Sequence, residues 1–153
     1  MQLKPDCIRD TLLYLEEQLV INFQKGNFEY ITLHQLTEQM IEKYGDKYTK
    51  EDIWYTVYNL KQVHFIEGRI NDAGQHKMMF CEIENITWNG HQFLSTVRPD
   101  TIWEATKKKA KQIGGMSIHS LSMISSSIMQ SLASNPDFIQ SIVDIIKQNP
   151  IGL

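Results

Sequence analysis

The sequence predicts a mainly helical α+β protein, a winged helix-turn-helix domain with a small β-hairpin wing followed by C-terminal helices. Three observations carry that expectation. Apolar residues recur at helical spacing in segments that open on Asp or Thr; a brief strand-like run precedes the second of these; and two runs rich in strand formers flank a polar turn after the third. The order helix, strand, helix, helix, strand, strand is that of a helix-turn-helix relative with a hairpin wing.

The first helix is expected to begin after Pro5-Asp6, with Asp6 as its cap and Ile8, Leu12, Leu13 and Leu15 as a buried stripe, and to end before Gly26. Phe28-Glu29-Tyr30-Ile31 alternates as a short strand and runs into Thr32-Leu33-His34-Gln35, the pattern of a capping box. A second helix over residues 33–43 then faces Leu33, Leu36, Met40 and Ile41 inward until Gly45 stops it. Thr49-Lys50-Glu51-Asp52 opens a third helix to about residue 63, with Ile53, Val57 and Leu60 on its buried side. Residues 65–70 and 78–83 are predicted strands, joined by the turn-rich Asn71-Asp72-Ala73-Gly74-Gln75.

Thr87 is expected to cap a short fourth helix whose apolar face is Trp88, Phe93 and Leu94. Arg98-Pro99-Asp100 breaks it and starts another, because proline is tolerated in a first helical turn. That helix should bury Ile102, Trp103, Ala110 and Ile113 and end at Gly114-Gly115. A serine-rich helix over residues 117–134 follows, with Ile118, Leu121, Ile124 or Ser125, Ile128 and Leu132 at helical spacing, and a last helix over 136–148 carries Phe138, Ile142 and Ile146. The expected division is a winged-helix domain over 1–98 and a helical region over 99–153.

Two stretches carry a resemblance. Leu3-Lys4-Pro5-Asp6-Cys7-Ile8-Arg9-Asp10, and Ile86-Thr87-Trp88-Asn89-Gly90-His91-Gln92-Phe93-Leu94 followed by Trp103-Glu104-Ala105-Thr106-Lys107, are similar to an uncharacterised winged-helix family of Gram-positive bacteria and their phages and prophages, a domain of unknown function. The resemblance covers residues 3 to about 132. It implies a winged-helix fold and a mobile-element setting, and it supplies no catalytic residues.

Composition excludes several classes. With 42% hydrophobic and 22% charged residues, the chain is neither disordered nor fibrous. Its two cysteines, Cys7 and Cys81, lie in apolar patterns without metal or redox spacing and read as reduced core thiols. The N-terminal residues lack an apolar signal region, and the long uncharged stretch over residues 113–135 holds eight serines, so no membrane segment and a cytoplasmic location are expected. Residues 1–98 carry ten Lys and Arg against fourteen Asp and Glu, a net of −4, while residues 99–153 have a net of +1. A body of that sign repels phosphate, so any nucleic-acid contact must come from a local patch.

No histidine pairs with a ligand-type residue at metal spacing, and Asp10, Glu16 and Glu17 have no convergent partner; catalysis, a metal, a cofactor and a small-molecule substrate are therefore not expected. His91 reads as a structural histidine at a helix start. The third helix is the natural groove reader of a winged helix, and its outward face offers Tyr55, Tyr58, Asn59 and Gln62 together with Glu51, a set that suits bases or a protein surface equally. Lys107, Lys108, Lys109 and Lys111 form the one dense positive run, a candidate phosphate-contacting patch. The nearly uncharged C-terminal helices suggest a homo-oligomer interface through Ile118, Leu121, Ile128, Leu132, Phe138 and Ile142. Two functions follow as expectations. One is a phage or prophage DNA-binding accessory or regulatory protein that acts on double-stranded DNA as a homodimer. The other is a protein-interaction module that binds a host or phage protein through the winged helix and the C-terminal helices.

Overall fold

A computed structural model describes residues 1–70 and 81–135, together with Asp137 and Gln140. In chain order the elements are α1 (Pro5–Gln18), β1 (Ile21–Asn22), β2 (Asn27–Phe28), β3 (Ile31–Thr32), α2 (Leu33–Tyr44), a 3₁₀ turn (Gly45–Lys47), α3 (Lys50–Gln62), β4 (Ile66–Ile70), β5 (Cys81–Ile86), α4 (Trp88–Val97), α5 (Asp100–Ile113) and α6 (Ile118–Ser134). The predicted strand residues Met78, Met79 and Phe80, the turn before them and the last helix lie outside the described residues.

Local chemistry fixes the helix starts. Thr32 accepts from the backbone N–H of Gln35 while the Gln35 side chain accepts from the Thr32 N–H, and Thr49 and Asp52 repeat the exchange at α3, so both starts are closed capping boxes. Thr87 and Ser117 cap α4 and α6 through the N–H groups of Gly90 and Ser120. Asp6 is no cap. Lys4 holds that position without a side-chain capping bond and Pro5 begins the helix, which leaves the Asp6 carboxylate free to point elsewhere.

The strand expected over residues 28–31 is two elements. Phe28 pairs with Ile21 and Asn27 with Asn22 in a separate antiparallel hairpin, whereas Ile31 and Thr32 join the main sheet. That sheet has the order β3-β5-β4, all antiparallel, with a bulge at Glu67/Gly68. At Gly68 any Cβ would stand 1.8 Å from the Glu82 carbonyl oxygen, so the bulge brings two backbones into contact that only glycine permits. Gly90 does the same for α4: its Cβ would lie 2.2 Å from the Phe65 carbonyl oxygen and 2.7 Å from Ile86, so α4 rides directly on the start of β4 and the end of β5.

One apolar cluster runs from Cys7, Ile8, Leu12 and Leu15 of α1 through Leu36, Met40, Ile53, Val57 and Leu60 to Phe93, Trp103, Ala110, Ile118 and Leu121. It crosses residue 98, the expected boundary, without a break. Arg9 reinforces the crossing: its guanidinium donates to the carbonyls of Val97 and Arg98 at the end of α4 and to Asp100 at the start of α5. Two residues expected inside are outside, since Trp88 is 77% exposed and Ile113 62% exposed. Gly90 takes the packed position of α4 in place of Trp88, and Thr106 is buried on α5, its hydroxyl satisfied by the Ile102 carbonyl. Among the described residues no helix is long and apolar enough to cross a membrane.

Candidate functional site: the outward face of α3

Burial of Ile53, Thr56, Val57 and Leu60 fixes the rotation of α3 and turns Trp54, Tyr55 and Tyr58 toward the outside. Trp54 is held in place because its indole Nε1 donates 3.0 Å to the Thr37 hydroxyl, which in turn donates to the Leu33 carbonyl. The indole polar group is thereby satisfied inside, and its ring is left as a wall. With Met1, Lys50, Glu51, Tyr55 and Tyr58 it lines, among the described residues, a hollow of about 540 Å³. Tyr58 is 46% exposed and Met1 93%. Lys50 and Glu51 also line it, with neither in an ion pair among the described residues, so the hollow is chiefly apolar and its two charges balance.

Four residues were expected to make contact here, and the structure divides them. Tyr55 and Tyr58 line the hollow. Asn59 does not join them: it is outside the lining, and one N–H of its amide donates 2.7 Å to the Tyr55 carbonyl one turn back. Gln62 is exposed at the last residue of α3 and outside the lining. Trp54 and Met1 were missed. Trp54 is legible in hindsight, because it stands one turn before Tyr58 and beside Tyr55, whereas nothing in the sequence announces Met1.

The lysine run is also divided. Lys107 reaches Asp6 at 2.8 Å and Glu104 at 2.9 Å and is only 23% exposed, so its charge is paired within the chain and it leaves the expected patch. Burial alone would lower its pKa, but the hydrogen bonds to Asp6 and Glu104 outweigh it and hold the ammonium charged. Lys108, Lys109 and Lys111 are exposed without an ion pair among the described residues. Lys4, beside the hollow, is likewise engaged, at 2.6 Å from Asp52.

The expected oligomer residues fare differently. Ile118 and Leu121 sit in the core of their own chain, 3% and 0% exposed, because α6 folds back on α4 and α5; they offer no surface to another copy. Ser125, fully buried, shares a 2.8 Å hydrogen bond with Thr96 of α4, which explains why a hydroxyl is tolerated on that inner stripe. Leu132 is buried as well and Ile128 is half-buried, while Phe138 and Ile142 lie outside the described residues.

Elsewhere several polar groups pair within the fold. Asp10, largely buried, accepts from the Tyr48 hydroxyl and from Lys47, and burial together with that carboxylate pushes the Tyr48 pKa up. Glu16 is gripped by Arg98 at 2.7 Å, with His91 3.9 Å away. Both thiols are buried, and burial raises their pKa, so they are poor nucleophiles. Among the described residues no group of three or more His, Cys, Asp or Glu is placed to hold a metal.

Comparison with known proteins adds one match. The profile of a hypothetical-protein family, DUF2513, covers residues 2–117, which ends at the start of α6 and short of the stretch to about 132 over which the sequence resemblance runs. No curated protein and no solved structure matches the chain. The matched span takes in the α3 residues of the hollow but not Met1, together with the bulged sheet, the Gly90 contact and the lysines of α5, and the chain belongs to the hypothetical-protein family DUF2513.

Proposed function

We propose that this protein is a non-catalytic interaction module on a winged-helix scaffold, and that it holds a polypeptide through the outward face of α3. The winged-helix reading draws on the element order and on the sheet order β3-β5-β4, in which the last strand lies between the other two. The mobile-element setting implied by the sequence resemblance goes with it. The observation that carries the function is the hollow lined by Trp54, Tyr55, Tyr58 and Met1. A groove reader needs cations and free amides or guanidiniums on this face. Here Lys4 is neutralised by Asp52, the charge of Lys50 is balanced by the adjacent Glu51, and three aromatic rings with a methionine make up most of the lining, the composition of a protein-binding hot spot.

The test is affinity purification of the tagged chain from its own cells, as wild type, Tyr58→Glu and the triple variant Lys108→Gln, Lys109→Gln, Lys111→Gln. A co-purifying polypeptide, a differently tagged copy of the chain included, should be lost with Tyr58→Glu and kept by the triple variant. Retention by Tyr58→Glu would contradict the reading.

A second reading, contact with double-stranded DNA, is favoured by one observation, the three unpaired lysines on α5. It requires duplex affinity that falls steeply with salt and drops in the triple variant at every sequence tested.

A further inference from the structure

Among the described residues, half of the large apolar side chains that stand exposed belong to one short segment: Val20, Ile21, Phe23, Phe28 and Tyr30, with Phe23 90% exposed. This segment is well ordered by its own bonds. Asn22 Oδ1 accepts from the N–H groups of Gln24 and Lys25, Gly26 N–H donates to the Asn22 carbonyl, and Glu29 N–H donates to the Val20 carbonyl. A hairpin tied at that many points holds Phe23 out at its tip and sets Ile21 opposite Phe28 on one face. Exposed apolar groups gathered on a rigid element mark a contact surface.

The same chain carries an apolar hollow. The α3 hollow has walls of Trp54, Tyr55, Tyr58 and Met1 and a volume within the range that encloses a sizeable apolar group. Charge agrees as well: Lys25 stands two residues from Phe23 in the turn of the hairpin, and the lining of the hollow carries Glu51, of opposite sign. The hairpin follows the last residue of α1, whereas Lys4–Asp52 ties the hollow to its first turn. At 1.5 Å per residue the 14 residues of α1 keep the two roughly 20 Å apart, too far for a chain to fill its own hollow.

We propose that the protein associates head to tail, with the Phe23 hairpin of one copy seated in the α3 hollow of the next. The contact is heterologous, so a pair keeps one free knob and one free hollow and the assembly extends or closes into a ring. It rests on the reading of the hollow as a polypeptide-binding surface and names its occupant.

The experiment uses the full-length chain and light scattering over a concentration series. Wild type should gain mass with concentration. Phe23→Asp, which lacks the knob, and Tyr58→Glu, which lacks the hollow, should each remain monomeric, their association weakened roughly tenfold or more as on loss of an aromatic anchor. An equimolar mixture of the two retains one good knob and one good hollow, and it should reach dimer mass and stop there. Lys25→Glu should weaken association and Glu51→Lys restore it, an outcome that keeps the test open if Tyr58→Glu folds poorly by circular dichroism. A wild type that stays monomeric, variants that associate like wild type, or a mixture that stays monomeric would each overturn the proposal. If a different polypeptide is bound through Tyr58 while Phe23→Asp changes nothing, the occupant is wrong and the binding surface stands; if nothing is bound through Tyr58, both fall.

Discussion

The indole Nε1 of Trp103 donates a 2.7 Å hydrogen bond to the Asp6 carboxylate, joining positions 97 residues apart. Lys107 reaches the same oxygen from the next turn of α5. One carboxylate in the first turn of α1 thus anchors α5, and α1 in turn carries α3 through Lys4 and Asp52. The hollow depends on this frame, because its walls keep their positions only while α1 and α3 keep theirs.

Trp103→Phe removes the donor and keeps most of the ring. It should lower unfolding free energy by about 1–2 kcal/mol, the lower part of the range for a hydrogen bond to a charged group, since Asp6 is partly in water. Denaturant titration measures it, and an unchanged midpoint would show that the bond contributes nothing.

Stability should fall in acid. For Asp6, burial acts to raise the pKa, but the hydrogen bonds from Lys107 and Trp103 outweigh it and hold the carboxyl below its ordinary value; Lys4 and Thr49 do the same for Asp52, and Arg98 for Glu16. Groups whose pKa is depressed by folding contribute stability above the unfolded value, about pH 4, and lose it as pH falls through the folded one. The unfolding midpoint should therefore be flat above about pH 5 and drop below about pH 4, and Asp6→Asn should make that drop shallower.

Because Leu121 is fully buried between α6 and its own chain, Leu121→Ala should cost about 2–5 kcal/mol in a monomeric sample. Deletion from Met116 onward should strip the cover from α4 and α5 and destabilise the remainder. A truncated chain with the full-length melting temperature would show that α6 is an appendage.

His64 adopts a positive φ of 57° just after α3, a backbone conformation that side-chain-bearing residues take at a cost. Its ring is exposed and makes no hydrogen bond among the described residues. His64→Gly should thus raise stability by roughly 0.5–1 kcal/mol, and a loss would reveal a packing role for the imidazole.

Much of this architecture is legible from local chemistry. Thr32 with Gln35, Thr49 with Asp52, Thr87 and Ser117 announce four helix starts because each cap is completed within three residues. The hairpin of Ile21 and Phe28 was invisible for the opposite reason: its apolar residues face water, and a rule that sends such residues inward reads Leu19-Val20-Ile21 as the tail of a helix. The same rule buried Trp88 and Ile113, which are exposed. The expected oligomer stripe failed in part because periodicity shows that Ile118 and Leu121 are covered but not by what. The lysine run lost Lys107 because its partner, Asp6, lies 101 residues away. In the candidate site, Tyr55 and Tyr58 followed from helix rotation alone, whereas the arrival of Met1 is a matter of tertiary geometry.

The most direct test of the α3 surface is a photo-crosslink from within it. With p-benzoylphenylalanine in place of Tyr58, and separately of Lys109, the chain is irradiated in its own cells and the adducts are digested with nuclease or protease. The account predicts a protease-sensitive, nuclease-resistant adduct from position 58 and none from position 109. A nuclease-sensitive adduct at either position, with no polypeptide captured at 58, would contradict it.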